Sequence, residues 1–372
     1  HHDHSLEKPN KYIVLAILAL AVAGMAYFFS RPTGKDIVSG IVKEILSERD
    51  TTLEIGNKNK IVKEQDLLVE VTIEKEKKEI KVLNDYNPVS RGDKIFVQGS
   101  LFGDSEFSVV GISRAKELII LAVLFIVLVI STSGIKGFYS LVGLFFSFAV
   151  IFTFMVPSIL KGINPVSIGL IGAAMILVPT IYLSYGLNRK SIAAFSGIII
   201  TLFFVGLVSN YFVGAIQFTG LSEVSMFLDM ETSNAINLIG LLIAGIIIAA
   251  VGVLDDVAII QSSVVFSLAR ANEGLRGWKL FKEAMSVGRD HISAVVNTLV
   301  LAYTGASLPL ILLLSLRGMS VDYFVSLEIV SEEIVRTLVS SSGLLLAVPL
   351  TTIIAVIMAN KNYQKCATTI QH

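Results

Sequence analysis

The sequence predicts an α-helical polytopic membrane protein with a small β domain inserted after its first helix. Of the 372 residues, 53% are hydrophobic and 16% are charged, and the mean hydropathy is +0.74. Soluble globular domains carry about 25% charged residues. Apolar stretches of helix-spanning length recur along the chain, and one polar segment with strand-like alternation interrupts them.

Eight apolar stretches approach the roughly 20 residues that a helix needs to cross a bilayer. They are Tyr12–Phe29, Leu118–Thr132, Phe138–Leu160, Val166–Leu187, Ile192–Ile216, Ala235–Leu268, Ile292–Leu316 and Ser340–Met358. We therefore predict about eight transmembrane helices. Residues 12–29 follow the basic residues Lys8 and Lys11, so they form either a signal peptide or an uncleaved anchor. The apolar run continues through Gly24–Phe29, which favours the uncleaved anchor.

Basic residues are concentrated in alternate loops, which is the positive-inside pattern of membrane proteins. With the N terminus inside, the cytoplasmic set is Lys8, Lys11, Lys136, Arg189, Lys190, Arg270, Arg276, Lys279, Lys282, Arg289, Lys361 and Lys365. The pattern predicts that both termini are cytoplasmic, with residues 1–11 and 361–372 as tails. Residues 31–115 then lie outside the cytoplasm, and residues 116–360 form a multi-helix membrane domain.

The polar segment 31–115 reads as about six short strands. The runs are IVSGIVKEIL, TTLEIG, DLLVEVTIEK, KEIKVLN, DKIFVQG and EFSVVGI, with turn residues such as RGD at Arg91–Asp93 between them. Strands of this number and length predict a small β-barrel or sandwich. The segment has no nucleophile triad and no metal-ligand cluster, so we expect it to bind or position a partner rather than to catalyse.

Two adjacent aspartates, Asp255 and Asp256, are the only charges between Ala235 and Leu268. Asp255 lies about 5 Å along the helix from the midpoint of this stretch, near Gly252, because a helix rises 1.5 Å per residue. A carboxylate at that depth costs about 2.5–3.5 kcal/mol on insertion scales, and such residues mark ion or proton pathways. The pair predicts an ion-coupling site.

The residues around the aspartates are small or polar. Gly252 and Ala249 predict close packing of a neighbouring helix. Gln261, Ser262 and Ser263 follow within two turns, so the inner half of this helix is expected to line a hydrated path. Ser263 is therefore a candidate partner of the carboxylates.

A second polar stripe lies on the seventh predicted span. Ser293, Asn297 and Thr304 recur at spacings of four and seven, which places them on one helix face. They either hydrogen-bond the carboxylates of the facing helix or join helices without a role in ion binding. Asn210, late in the fifth span, is another candidate neighbour.

Two further features surround the last spans. Residues 269–290 alternate apolar and basic side chains, which predicts an amphipathic helix on the cytoplasmic leaflet, although a charged connecting loop is the alternative. Glu332 and Arg336 are four residues apart, which predicts a local ion pair on the helix surface.

Three segments resemble the YibE/F family of bacterial membrane proteins. They are VGVLDDVAIIQSSVVFSLARAN, the stretch Asn297–Leu314, and EEIVRTLVSSSGLLLAVPLTT. The resemblance covers roughly residues 115–360, and the LDD segment is its most specific part. It implies a multi-pass protein of the bacterial inner membrane and implies no settled substrate.

The order of spans is also similar to the membrane core of SecD/SecF and of resistance–nodulation–division transporters. That similarity implies a proton-relay position at Asp255 or Asp256. Two additional spans after the external segment, and the small size of that segment, depart from those proteins.

These observations support three functional interpretations. The first is a transporter or export factor coupled to a proton or cation gradient through Asp255 and Asp256, with a divalent-cation transporter as a variant, since Asp, Asn and Thr oxygens suit hard cations. The second is a membrane scaffold that recruits partners through its external β domain. The third is an intramembrane aspartyl protease, which adjacent aspartates disfavour because their side chains point about 100° apart on one helix.

Several classes of partner follow from composition. We expect a lipid bilayer, a transported proton or cation, an unidentified cargo and a homo-oligomer, and we expect neither a cofactor nor enzymatic activity. A single cysteine excludes an internal disulfide and a cysteine-based zinc site. The N-terminal HHDH resembles a metal-binding cluster but is expected to be a tail. Basic residues lie in short loops, which argues against a nucleic-acid-binding face.

Overall fold

The chain folds into two compact units. The computed structural model describes residues 11–29, 37–55, 58–73, 76–85, 87–99, 107–221, 236–272, 274–316, 318 and 320–370. One unit comprises residues 29–134, and the other comprises residues 1–28 and 135–372. The predicted HHDH tail and the first residue of the predicted span Ala235–Leu268 lie outside the described residues.

A small β-sheet follows the first helix. Its strands are β1 (Ile37–Ile55), β2 (Lys58–Ile73), β3 (Glu76–Asn84), β4 (Lys94–Gln98) and β5 (Phe107–Ile112). They are joined in the order β1-β2-β3-β5-β4, and β4 pairs in turn with β1. The first two predicted strands form one long β1, in which register shifts take the place of a turn.

The interior of the β unit follows strict alternation along β2. Leu67, Val69 and Val71 are fully buried, while the residues between them are half-buried, as a strand with two different faces requires. Gln65 continues this buried row. Its side-chain oxygen accepts hydrogen bonds from the Asn84 side chain at 3.0 Å and from the Val89 backbone at 2.8 Å, which ties the segment after β3 to the core.

The stability of the β unit in acid is expected to depend on Glu70, which lies on the outer side of β2. Lys43 and Lys77 each place their Nζ 2.8 Å from one of its carboxylate oxygens, and their hydrogen bonds lower the pKa of Glu70 from 4.5 to about 2. A carboxylate whose pKa is lowered by folding stabilises the fold above pH 4.5, and that contribution is lost as the pH falls towards 2. We expect Glu70→Gln to make the β unit less sensitive to acid in this range.

The measurement is hydrogen exchange of the β2 and β3 amides in the full chain, corrected for the intrinsic pH dependence of exchange. Equal acid sensitivity of wild type and Glu70→Gln would show that the two lysines do not stabilise the sheet through this carboxylate.

Helices make up the rest of the described chain. They are α1 (Lys11–Phe29), α2 (Ala115–Val150), α3 (Val156–Leu160), α4 (Pro165–Tyr185), α5 (Arg189–Ala215), α6 (Leu238–Ala271), α7 (Gly277–Ala306), α8 (Leu308–Leu316), α9 (Val321–Ser326) and α10 (Glu328–Ile370). A π-helical turn, Ile151–Met155, joins α2 to α3.

Among the described residues, five helices are long and apolar enough to cross a membrane, against the eight spans predicted. They are Ala115–Leu160, Pro165–Leu183, Arg189–Ala215, Leu238–Ala271 and Glu328–Asn360. The second and third predicted spans lie on the single helix that includes α2, which is interrupted at Gly134, where φ is 58°. The apolar part of α1, Lys11–Tyr27, is shorter than the others.

The helix boundaries in the seventh predicted span and in the amphipathic segment 269–290 lie at other positions than the sequence predicts. Most of the amphipathic segment and the first part of the span form one continuous helix, α7, because no proline lies at their junction. The helix ends at Ala306 with Ser307 as its C-cap, two residues before Pro309, and α8 follows. At the far end of the chain, α10 extends into the predicted tail 361–372.

The core of the helical unit lies between α4, α5, α6 and α10. Its fully buried side chains include Leu177, Ile198, Leu202, Ile246 and Leu254. The apolar residues of α6 face this core along nearly the whole helix. This packing sets the rotation of α6 about its axis, and the rotation decides where its polar side chains point.

Candidate functional site

Helix α6 carries the two aspartates. It begins after Asn237, whose side chain accepts a hydrogen bond from the Gly240 backbone at 2.8 Å and so caps the first turn. Near its end, Arg270 donates through Nε to the Phe266 carbonyl at 3.2 Å, as favoured at a helix C terminus. Between these caps, Asp255 and Asp256 are the only charged residues of α6.

Asp255 and Asp256 have different environments because successive helix residues point about 100° apart. Asp255 is half-buried, and its Oδ1 is buried without a hydrogen-bond partner among the described residues. Asp256 is exposed on the surface of the helical unit. The two carboxylates therefore do not act as equivalent groups.

Three side chains from neighbouring helices surround the aspartates. Thr180 of α4 lies close enough to the Asp255 carboxyl group to hydrogen-bond it, but its hydroxyl donates instead to the Ile176 carbonyl at 2.9 Å. Tyr185, the last residue of α4, is close enough to interact electrostatically with both carboxylates, and His291 of α7 interacts with Asp256. The imidazole Nε2 of His291 is buried and has no partner among the described residues. We call these five residues the aspartate cluster.

The predicted partners on the polar stripe lie elsewhere. Ser293, Asn297, Thr304 and Asn210 are exposed, and within the described part of the chain no hydrogen bond joins any of them to an aspartate. Helix α7 instead turns its apolar residues Ile292, Val295, Val296 and Leu299 towards α6 and α10. Hydrophobic packing, rather than the polar stripe, decides the rotation of α7 about its axis.

The predicted packing residues are also not at a close helix contact. A Cβ added at Gly252 would meet no atom within 4 Å, and Ala249 is only half-buried. The close contacts lie at other glycines, such as Gly169, whose added Cβ would be 3.2 Å from the Ala244 Cβ. The side of α6 that bears Gly252 and Asp256 is therefore open.

Two of the three polar residues after the aspartates have structural partners. Gln261 is buried, and its Nε2 donates to the Ala284 carbonyl at 3.0 Å and to the Thr352 hydroxyl at 2.8 Å, which joins α6 to α7 and α10. Ser262 is buried and donates to the Lys190 carbonyl at 2.9 Å. Only Ser263 of the predicted path lies at the edge of an open groove.

The ion pair of Arg336 differs from the prediction. Arg336 donates to Glu333, three residues earlier, and not to Glu332. Both spacings place the side chains on neighbouring positions of a helix, so the sequence does not discriminate between them. The pair lies near the start of α10 and away from the aspartate cluster.

Glu328, the first residue of α10, makes a contact that the sequence did not indicate. Its carboxylate accepts hydrogen bonds from the Thr219 backbone at 2.7 Å, the Gly220 backbone at 2.9 Å and the Thr219 hydroxyl at 2.9 Å. The turn after α5 is thereby fastened to the beginning of α10.

Thr180, Tyr185 and His291 were not predicted from the sequence as neighbours of the aspartates. Of these, only His291 carries a signal in the sequence, because it is an imidazole at the boundary of an apolar stretch. Thr180 and Tyr185 resemble many other polar residues near helix ends. Among the described residues, no group of three or more His, Cys, Asp or Glu side chains is arranged to hold a metal ion.

Comparisons with known proteins identify the chain at the level of its family. Searches of curated proteins and of solved structures gave no match. A sequence model described as YibE/F-like protein matches residues 121–361. The match covers more than half of the chain and includes the whole aspartate cluster, so the chain belongs to the YibE/F family of membrane proteins.

Proposed function

We propose that the protein is a membrane transporter or export factor coupled to a proton or cation gradient through Asp255 and Asp256. A carboxylate inside a membrane helix is unfavourable by several kcal/mol unless it is paired or hydrated, so such residues mark ion pathways. The cluster joins α4, α6 and α7, and a group that binds an ion between helices can couple ion movement to helix movement.

One observation carries this proposal. Asp255 places its Oδ1 in the interior of the helical unit without a hydrogen-bond partner among the described residues. A structural carboxylate is expected to have its oxygens satisfied, because an unpartnered buried polar group destabilises a fold by about 1–3 kcal/mol. An oxygen left free in this way is suited to bind an ion that arrives and leaves.

The proposal includes a topology. The N terminus and the Arg270 end of α6 lie in the cytoplasm of a bacterial cell, and the β unit lies outside its inner membrane. The alternation of basic loops supports this orientation. In addition to the five long spans, α1 and the helices α7 and α8 cross or enter the bilayer, and α2 with α3 crosses it twice, on either side of Gly134.

The test is flux in proteoliposomes under an imposed pH gradient, across a panel of monovalent ions, divalent ions and small solutes. We expect the double variant Asp255→Asn with Asp256→Asn to lose at least about 100-fold in gradient-dependent flux, since positioned proton-transfer groups contribute about 10²–10⁴-fold. Asp322→Asn, which changes an exposed aspartate of α9, is the matched control. Flux that survives the double substitution would rule out coupling through the aspartates.

A scaffold role is the second candidate, and one observation favours it. Among its described residues, the β unit has its own buried core of nine hydrophobic residues, separate from the core of the helical unit, as a partner-binding module would. Under this interpretation, deletion of residues 35–113 abolishes function in the cell. The aspartate substitutions would then alter stability alone.

A further inference from the structure

A groove runs along α6 from the level just past the aspartates towards the end of the helix. It has a volume of about 400 Å³ and is open to the outside of the helical unit. Residues from α4, α6 and α7 line it, including Tyr185, Ile259, Ile260, Ser263, Val264 and Ser267. We call it the α6 groove.

Polar groups follow one side of the α6 groove. Ser263 is seven residues after Asp256, and Ser267 is four residues further, so the three side chains lie on one helix face. The row spans about 16 Å at 1.5 Å per residue. It ends one turn before Arg270, at the basic end of the helix.

The hydroxyls of this row differ from those of Thr201 and Ser209 in α5 and resemble those of Ser340, Ser341 and Thr351 in α10, which are buried without a partner among the described residues. Thr201 and Ser209 of α5 donate to the carbonyls of Gly197 and Val205 at 2.8 and 2.7 Å. Within the described part of the chain, Ser263 and Ser267 make no such bond. A hydroxyl without a partner is unfavourable in hydrocarbon. We therefore expect water in the groove, where it can hydrogen-bond these two side chains.

Tyr185 connects the groove to the carboxylates. Its ring lines the groove, and it interacts electrostatically with Asp255 and Asp256. The other titratable group that faces the pair is His291 of α7. Among the described residues, Tyr185 is the only titratable side chain that lines the groove.

We propose that the α6 groove is the water-filled route by which the coupling ion reaches Asp255 and Asp256 from the Arg270 end of α6. The proposal rests on the function proposed above and adds the path and its direction. The apolar wall of Ile259, Ile260 and Val264 offers a different occupant, a lipid acyl chain, and the test separates the two.

The test uses cysteine accessibility, because Cys366 is the single cysteine of the chain. In a Cys366→Ser background, Ser263→Cys and Ser267→Cys are compared with Ile353→Cys. Ile353 is 45% exposed on α10 and lies outside the groove. Its neighbour Thr352 contacts Gln261, so the control lies at a similar depth.

The probe is a charged, membrane-impermeant methanethiosulfonate added to vesicles of either orientation. We expect both groove cysteines to react at least about tenfold faster than Ile353→Cys, since the reactive thiolate forms only in water. We also expect reaction only from the side that holds Arg270, and loss of flux after Ser263→Cys is modified.

Labelling does not require transport, so the outcomes are distinguishable. Groove cysteines that react with a lipophilic maleimide but not with the charged reagent would show a lipid-filled groove and overturn the proposal. Labelling without loss of flux would overturn the route while leaving aspartate coupling intact. Unchanged flux in the aspartate double variant would overturn the proposed function, and the route with it, whatever the labelling.

Discussion

Asp255→Asn is expected to stabilise the helical unit while it removes gradient-dependent transport. The substitution removes the charge at nearly constant volume. We expect the free energy of unfolding to rise by about 1–3 kcal/mol, because an unpartnered carboxylate is more costly to bury when it is charged than the neutral amide that replaces it. A residue whose replacement makes the protein more stable but inactive is one retained for function.

This result discriminates between the two candidate functions. A scaffold would hold Asp255 for structural reasons, so its replacement would lower stability. The measurement is loss of helical circular dichroism during unfolding in mixed micelles of increasing denaturing detergent. Asp322→Asn is the matched control, since Asp322 is exposed on the short helix α9, and surface substitutions usually change stability by less than about 0.5 kcal/mol. A less stable Asp255→Asn protein would contradict the proposal.

Gly197→Ala is expected to destabilise the helical unit through a single added methyl group. An added Cβ would lie 2.2 Å from the Thr351 Oγ1 and 3.1 Å from the Thr351 Cα. Because a backbone atom is also close, a side-chain rotation does not relieve the clash. Overpacking of this kind destabilises a fold by about 1–3 kcal/mol, and we expect α5 and α10 to separate more readily.

The same detergent unfolding experiment tests this prediction. Gly252→Ala is the control, because no atom lies within 4 Å of its added Cβ. There the added methyl group is expected to stabilise α6 by about 0.5–1 kcal/mol through helix propensity. Equal effects at the two glycines would mean that the close contact between α5 and α10 is not maintained in the bilayer.

Much of the fold follows from local patterns in the sequence. The apolar run that becomes α6 and the alternation that becomes β2 were both predictable, because hydrophobic periodicity reports directly on which face is buried. The number of spans was less predictable. Helix α7 joins an amphipathic part to an apolar part without a break. The composition changes at that point, so the sequence predicts a helix end there, but the backbone stays helical.

The candidate site was predictable only in its charges. Asp255 and Asp256 stand out because nothing else near them is charged. Their neighbours depend on how each helix is rotated about its axis, and the apolar residues that surround Asn297 decided that rotation for α7. Thr180 and Tyr185 come from α4, about 70 residues earlier in the chain, and no local pattern relates them to the aspartates.

Helices α5 and α10 are held together at two distant points. Gly197 fits closely against Thr351 at one level, and the turn that carries Thr219 is fastened to Glu328 at the other. Two such attachments prevent the helices from sliding along each other or from opening like scissors. They form a fixed frame, to which Ser262 and Gln261 also join α6 at Lys190 and Thr352. Any movement that opened the proposed ion site to alternate sides of a bilayer would therefore be made by α4 against α5, α6 and α10.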